Sequence, residues 1–405
     1  MNVADRRARI AVAALFFTNG ALFANLIPRY PEIKAELGLS NALYGLSVAA
    51  FPTGAIVAGL AAGVLVRRFG SATVAAAGTL LTAAGVLAAG LAPAVAVFAG
   101  VLFLAGAMDA ITDVAQNAHG LRVQRRYGRS IINSLHAIWS IGAVTGGAMA
   151  AGAIALGLSR GVHLGISGAT FTVIALIAWR FRLPGPDTAP DTTTTTTPRY
   201  GTRPAPRVWL IVAALVLIAI GGTIVEDAGN SWAAVYLSGS LRAAAEIAAW
   251  GYIALVGAQF VGRMIGDRLV DRFGQRTVAR AGGLIVAAGM GLALAVPSVP
   301  GTVLGFAAAG FGVATLVPAA LHEADELPGL APGTGLTVVS WLMRLGFLLS
   351  PPIVGAVADA TSLRTGLLIV PIAGLLVVLL AGVLAGRRRP AHHDRPAEPV
   401  TAPAG

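Results

Sequence analysis

Residues 63–78 read GVLVRRFGSATVAAAG, and residues 267–282 read DRLVDRFGQRTVARAG. Ten of the sixteen positions are identical at a constant offset of 204, and Gly142 and Gly346 keep that offset further along the chain. Short apolar stretches match by chance, but R-F-G-x-x-T-V-A recurring at the same kind of basic turn marks an internal duplication. Each copy joins two apolar runs, so the repeated unit is a set of hydrophobic spans.

Composition says what those spans are. The 405 residues are 56% hydrophobic and 12% charged, with a mean hydropathy of +0.77. A soluble domain carries about 25% charged residues, so this chain has roughly half the charge needed to coat a wet surface. Twelve spans of about 20 apolar residues would consume roughly 240 positions. What remains is loops and tails, which excludes a sizeable soluble catalytic or binding domain. The 51 glycines sit inside apolar runs without a G-x-y period, and the absence of cysteine excludes disulfides, thiolate zinc and iron–sulfur sites.

The apolar runs cover 9–28, 43–65, 71–91, 94–118, 130–157, 161–181, 208–237, 245–265, 277–296, 300–321, 333–358 and 364–386. Lipid offers the backbone no hydrogen bonds, so runs of this length are expected to be helices. The first follows Arg6, Arg7 and Arg9 but lacks a clean cleavage site, and reads as a retained helix. With the N-terminus placed in the cytoplasm, 23 of the 29 Lys and Arg residues fall inside and five outside, while Arg344 lies within a span. That asymmetry sets the orientation. It also explains the net charge of +11 without nucleic acid, because the basic residues punctuate apolar runs and form no stripe with aromatics.

The expectation is an all-α membrane protein of twelve transmembrane helices in two pseudo-symmetric six-helix halves. Residues 1–182 form the first half and 208–386 the second. Residues 183–207, with six prolines and the run Thr192 to Thr197, read as a flexible cytoplasmic linker. Residues 387–405 read as a disordered cytoplasmic tail. Parallel halves related by an axis along the membrane normal are a secondary-transporter architecture.

The loop motifs carry a resemblance to the major facilitator superfamily that covers residues 9–386. That family is marked by Gly-x-x-x-Asp-Arg-x-Gly-Arg/Lys between its second and third helices, with a weaker copy between the eighth and ninth. Here the second copy is the fuller, with Asp271, Arg272, Gly274 and Arg276, although Asp267 replaces the first glycine. The first keeps Gly63, Arg68 and Gly70 but has Arg67 for the aspartate. Residues 19–34, 113–118, 134–142 and 344–355 are similar to a sparsely characterised prokaryotic branch, distantly akin to both sugar–proton symporters and exporters. The resemblance implies alternating access, cytoplasmic gating at the two loops, and a cavity lined by the first, fourth, seventh and tenth helices.

An ionisable group inside a span costs about 2.5–3.5 kcal/mol even on lenient insertion scales, so each one needs a reason. Asp109, Asp113, Gln116 and Asn117 recur at i, i+4, i+7 and i+8 and share one face of the fourth span. Asp109 is the candidate for a proton or substrate role, and Asp113 for a gate or ion pair. Asp113 and His136 both lie about 10–14 Å along their helices from the same turn. Their contact would form a proton-titratable pair, against the blander reading of a histidine satisfying a carbonyl.

In the seventh span Glu226 and Asp227 lie about 27 Å from Val208. Gly221, Gly222 and Gly229 around them suit a bent helix. Glu226 is read as a cavity carboxylate and Asp227 as a latch, with pairing to Arg29 at the outer mouth as the structural alternative. Arg344, about 17 Å from Gly333, needs an anionic partner, and a carboxylate of the fourth span is favoured over a substrate anion. Asn19, Asn25, Trp139 and Ser140 are candidate cavity lining, as are Asn230, Trp232 and Gln259; the alternative for each is packing.

Gly142, Gly146 and Gly147 resemble the glycine-rich signature of drug–proton antiporters without its central proline. No Walker loop, HExxH or nucleophile elbow is present, so no enzyme, cofactor or metal is expected. The expected function is proton-coupled transport of a small organic solute by a monomer in the cell membrane. Export is slightly favoured over uptake of a sugar or other polar solute, and a non-transporting membrane sensor is the alternative of another class.

Overall fold

The computed structural model describes residues 3–128, 131–185, 187, 205–331 and 333–385. Most of the expected linker (188–204) and the whole expected tail (387–405) lie outside the described residues. Among the described residues there is no strand, and twelve helices are long and apolar enough to cross a membrane. They are α1 (Asp5–Glu36), α2 (Asn41–Phe69), α3 (Ser71–Gly90), α4 (Val95–Tyr127), α5 (Ile132–Ala155) and α6 (Arg160–Arg180), followed by α7 (Pro206–Ser240), α8 (Ala245–Phe273), α9 (Gln275–Ala295), α10 (Val299–Asp325), α11 (Thr334–Ala360) and α12 (Leu363–Val383).

Several helices outrun the apolar segments that announce them: α4 continues to Tyr127 and α8 to Phe273. Hydropathy detects only the part that needs lipid, whereas arginine-rich turns are good helix formers and carry the backbone ladder onward. At the charge-sparse end the helices start on serine caps. The hydroxyls of Ser40, Ser159, Ser298 and Ser362 accept N–H groups at the starts of α2, α6, α10 and a short helix opening α12.

At the arginine-rich end the duplicated motif has a backbone cause. Gly70 and Gly274 stop α2 and α8 at φ 85° and 81°, with their N–H groups on the carbonyls of Val66 and Val270. Only glycine takes that conformation without a steric penalty. Helix packing repeats at the same offset. A side chain at Gly106 of α4 would strike the Phe51 carbonyl of α2, and one at Gly310 of α10 the Leu255 carbonyl of α8. Gly142 of α5 backs onto the Phe17 carbonyl of α1, and Gly346 of α11 onto Thr223 and the Ile220 carbonyl of α7. Small residues at such crossings let backbones touch, the main way helices associate in lipid.

The expected bend of α7 is not made: it is regular from Pro206 to Val235. No proline interrupts its ladder, and its glycines admit neighbours instead, Val377 at Gly221, Val317 at Gly222 and Leu255 at Gly229. α7 changes only at its end, into a π-helical turn at Tyr236–Ser240, and breaks fall in other helices, among them at Pro28 in α1, Ala49 in α2, Ala314 and Thr315 in α10, and Met343 in α11.

Two seams join the halves, α2 with α11 and α5 with α8. Both lie toward the charge-sparse end. Gly45 meets the Pro351 carbonyl, Gly355 meets the Asn41 carbonyl, and Gly147 meets the Tyr252 ring. Tyr44 donates to the Ser231 carbonyl at 2.6 Å and sets its ring edge-on to Trp232, centroids 4.9 Å apart. The central cavity lies on the other side of this seal.

Candidate functional site

The cavity is about 320 Å³ and takes polar groups from both halves, including Asn19, Asp109 and Trp139 on one side and Glu226, Asp227 and Gln259 on the other. Asn19 is the hub of the first half. Its amide donates to Asp109 at 2.8 Å, and its oxygen accepts the Trp139 indole at 2.8 Å and the Gln116 amide at 3.3 Å. Gln116 also donates to Asp113 at 3.3 Å, and Asn117 donates to the same carboxylate oxygen at 3.0 Å. The helical spacing of the α4 residues therefore becomes one hydrogen-bonded chain, Asp109–Asn19–Gln116–Asp113–Asn117, tying α4 to α1 and α5.

In the second half Gln259 donates to Glu226 at 2.8 Å, and Arg263 approaches the same oxygen at 3.9 Å. Arg263 lies inside the run 245–265 although it was counted with the cytoplasmic charges; it stands one turn beyond Gln259 on the same face, a spacing that could have flagged it. Asp227 accepts from Ser231 at 3.3 Å and is buried. Asn230 and Arg344 complete the polar lining. The remaining wall is largely aromatic and aliphatic, with Phe23, Tyr30, Phe51, Tyr252 and Phe347 contributing.

Other expected contacts are not made. No ion pair joins Asp113 to His136; His136 presents its ring to the edge of Phe16, centroids 5.3 Å apart. Arg29 does not reach Glu226 or Asp227. It is buried at the charge-sparse end, where it donates to Glu32 at 3.0 Å and to the Leu158 carbonyl at 2.7 Å. Arg344 makes no ion pair among the described residues and stands exposed at the cavity. Asn25 lies off the cavity, hydrogen-bonded to His163 at 2.8 Å. Ser140 is spent on the His136 carbonyl, and Trp232 is buried in the seal.

The two signature loops repeat a small device: Arg68 lies over Phe69 and Arg272 over Phe273, 5.3 and 5.2 Å from the ring centroids. Gly63 is packed only by the Arg67 side chain, Asp267 and Asp271 are exposed, and Arg276 donates to the Leu384 carbonyl at 3.1 Å. Beside the first loop, Asp187 of the linker accepts the Ser71 backbone N–H, the Ser71 hydroxyl at 2.9 Å and Arg122 at 3.0 Å. Asp187 was hidden to sequence reading by its Pro- and Thr-rich surroundings.

The sequence profile of the Major Facilitator Superfamily matches residues 12–238 and 227–404. The chain is 30% identical to the uncharacterized transporter y4wD of Sinorhizobium fredii over 92% of its length and 97% of that protein's. It is likewise 30% identical to the membrane protein MosC of Rhizobium meliloti, covering 94% of this chain and 90% of that one. In three dimensions it resembles the nucleoside transporter NupG, with a TM-score of 0.70 at 13% identity, covering 94% of this chain and 99% of that one. It also resembles a D-xylose–proton symporter, with a TM-score of 0.67 at 17% identity over 92% and 96% of the two chains. The chain belongs to the Major Facilitator Superfamily and is a multi-pass membrane transporter of small solutes.

Proposed function

We propose that the protein is a proton-coupled secondary transporter of a small polar organic solute, acting as a monomer in the cell membrane. The observation that carries this reading is the facing of two carboxylate systems across one cavity, Asp109 held by Asn19 and Glu226 held by Gln259. Each carboxylate belongs to a different half, so a change in its charge bears on contacts that rocking of the halves would alter. Protonation drives a cycle only if it differs in energy between the two states, and cavity carboxylates with amide partners are suited to that. The chain supplies no nucleotide-binding loop, so the energy source is an ion gradient or the solute's own gradient, and the cavity carboxylates favour the former.

The 23-to-5 distribution of basic residues supports cytoplasmic termini and a cytoplasmic arginine-rich end. On that orientation the seal of Tyr44, Gly45 and Trp232 is extracellular and the arrangement is inward-facing. The glycines of α5, the one feature favouring export, are absorbed by packing against α1 and Tyr252. The polar chain on α4 then tips the balance toward uptake by symport, a reading in keeping with a likeness to a xylose–proton symporter.

The test is solute flux in proteoliposomes under an imposed pH gradient, in wild type, Asp109→Asn and Glu226→Gln. The expected outcome is gradient-driven accumulation in wild type that is lost in both variants. Full retention of pH-dependent flux in both would remove the coupling assignment. Binding of a solute without any flux would establish the sensor reading in its place.

A further inference from the structure

Outside the cavity, His163 is a buried titratable group that the transport site leaves unused. It stands in the first turn of α6 at the charge-sparse end, 4% exposed, with both ring nitrogens engaged. Arg29 of α1 donates through Nε to Nδ1 at 3.4 Å. A guanidinium has no acceptor, so Nδ1 carries no proton. The Asn25 amide nitrogen donates to the Ala21 carbonyl at 2.8 Å, which turns Oδ1 toward His163 Nε2, 2.8 Å away, and makes Nε2 the donor there. The hydrogen bonds therefore fix a neutral imidazole, and the position left for a second proton is the one that Arg29 fills.

The charges around it are already matched. Arg29 meets Glu32 at 3.0 Å, and Arg160 meets Glu32 at 3.1 Å and also Glu36, so two cations face two carboxylates. Of the helices packed along α6, α1 supplies Arg29, Glu32 and Glu36, and α3 has no titratable residue. A proton on His163 would set a surplus cation against Arg29 in a buried place, which is costly without a partner. Arg29 also lies where α1 breaks: Ile27–Arg29 make one tight turn, and that turn and the segment after it touch α7 of the other half. Tyr30 follows, its ring edge-on to that of Tyr44 with centroids 5.8 Å apart, and Tyr44 bonds the Ser231 carbonyl across the seam. Releasing Arg29 from His163 thus frees the part of the first half that closes on the second.

We infer that His163 is a second proton site, outside the cavity, that ties opening of the charge-sparse end to protons on that side. Closed, the site refuses the proton because Arg29 occupies its place; open, it accepts one. The state that binds the extra proton gains population as pH falls, so acid favours opening. With cytoplasmic termini that end is extracellular, and the site senses external acid.

The test is the distance between spin labels across the α2–α11 seam of the purified protein, from about pH 8 to about pH 5. The wild type is expected to show a several-fold rise in the open population toward acid. His163→Gln keeps an amide donor and acceptor but takes up no proton, and its distances should not change with pH. Arg29→Gln can accept as well as donate, so a protonated His163 fits the closed state, and the response should be lost there too; it decides the matter if His163→Gln does not fold. The double variant Asp109→Asn, Glu226→Gln keeps His163 and should respond like the wild type whether or not it transports, which separates this inference from the coupling assignment. A wild type that does not respond, a response that survives either His163→Gln or Arg29→Gln, or one that vanishes with the cavity carboxylates overturns the inference.

Discussion

Asp359, at the last turn of α11, accepts the backbone N–H of Asn41, the first residue of α2, at 2.9 Å, and that of Ala42 at 2.8 Å. A carboxylate of one half thus caps a helix of the other. It satisfies N–H groups that would have no partner within α2 and sets a negative charge at the positive end of its dipole. Because the contact spans the α2–α11 seam, it exists only while this end is shut. Asp359→Ala is expected to weaken the seal by about 1 kcal/mol, a typical value for a lost cap. Spin labels across the seam should report a several-fold rise in the population open at the charge-sparse end. An unchanged distance distribution would show that Asp359 caps α2 without bearing on the gate.

Glycines within and between the halves should respond differently to added bulk. Gly142→Leu forces α5 from the Phe17 carbonyl of α1, a contact inside one half. The expected cost is about 1–3 kcal/mol of stability, read as a lower melting temperature. Gly45→Leu strikes the Pro351 carbonyl across the seam, and the halves can relieve it by rocking apart. That variant should keep its melting temperature and become accessible to labelling from the charge-sparse end.

Asp109 and Asn19 should separate coupling from binding. Asp109→Asn keeps an amide able to bond Asn19 but cannot change charge. Solute exchange at equal pH should persist while accumulation against a gradient falls to background. Asn19→Ala removes the group that joins Asp109, Gln116 and Trp139, and exchange itself should fall about tenfold, a loss of order one buried hydrogen bond. Gradient-driven accumulation by Asp109→Asn at the wild-type level would move the coupling site elsewhere.

The Asp187–Arg122 pair, with side chains 18% and 13% exposed, should act as a unit with Ser71. Asp187→Ala strips the start of α3 and leaves Arg122 uncompensated, at an expected cost of about 2–3 kcal/mol. Arg122→Ala should cost a similar amount, and the double variant little more than either single one. Additive losses in chemical unfolding would mean that the pair is not coupled.

The residues of the central site were legible in the sequence because lipid makes any buried polar group conspicuous. Asp109, Glu226 and Asp227 stood out on cost alone, Asn19 and Gln259 only as cavity lining with packing as the alternative, and the helical period placed the α4 group on one face. Their partners were not legible. The sequence offered His136 for Asp113 and Arg29 for the α7 carboxylates, and the fold brought Gln116 and Asn117 to the first and Gln259 and Ser231 to the others.

Apolar length determined twelve helices, and the repeat at an offset of 204 determined two like halves, since both follow from local chemistry: the backbone's need for internal hydrogen bonds in lipid and the glycine backbone conformation at Gly70 and Gly274. Which end is sealed, and which side chains partner each carboxylate, was decided only by the tertiary structure. Those outcomes depend on how two rigid halves meet, and side chains separated by hundreds of residues, such as Asn41 and Asp359, carry no local sign of each other.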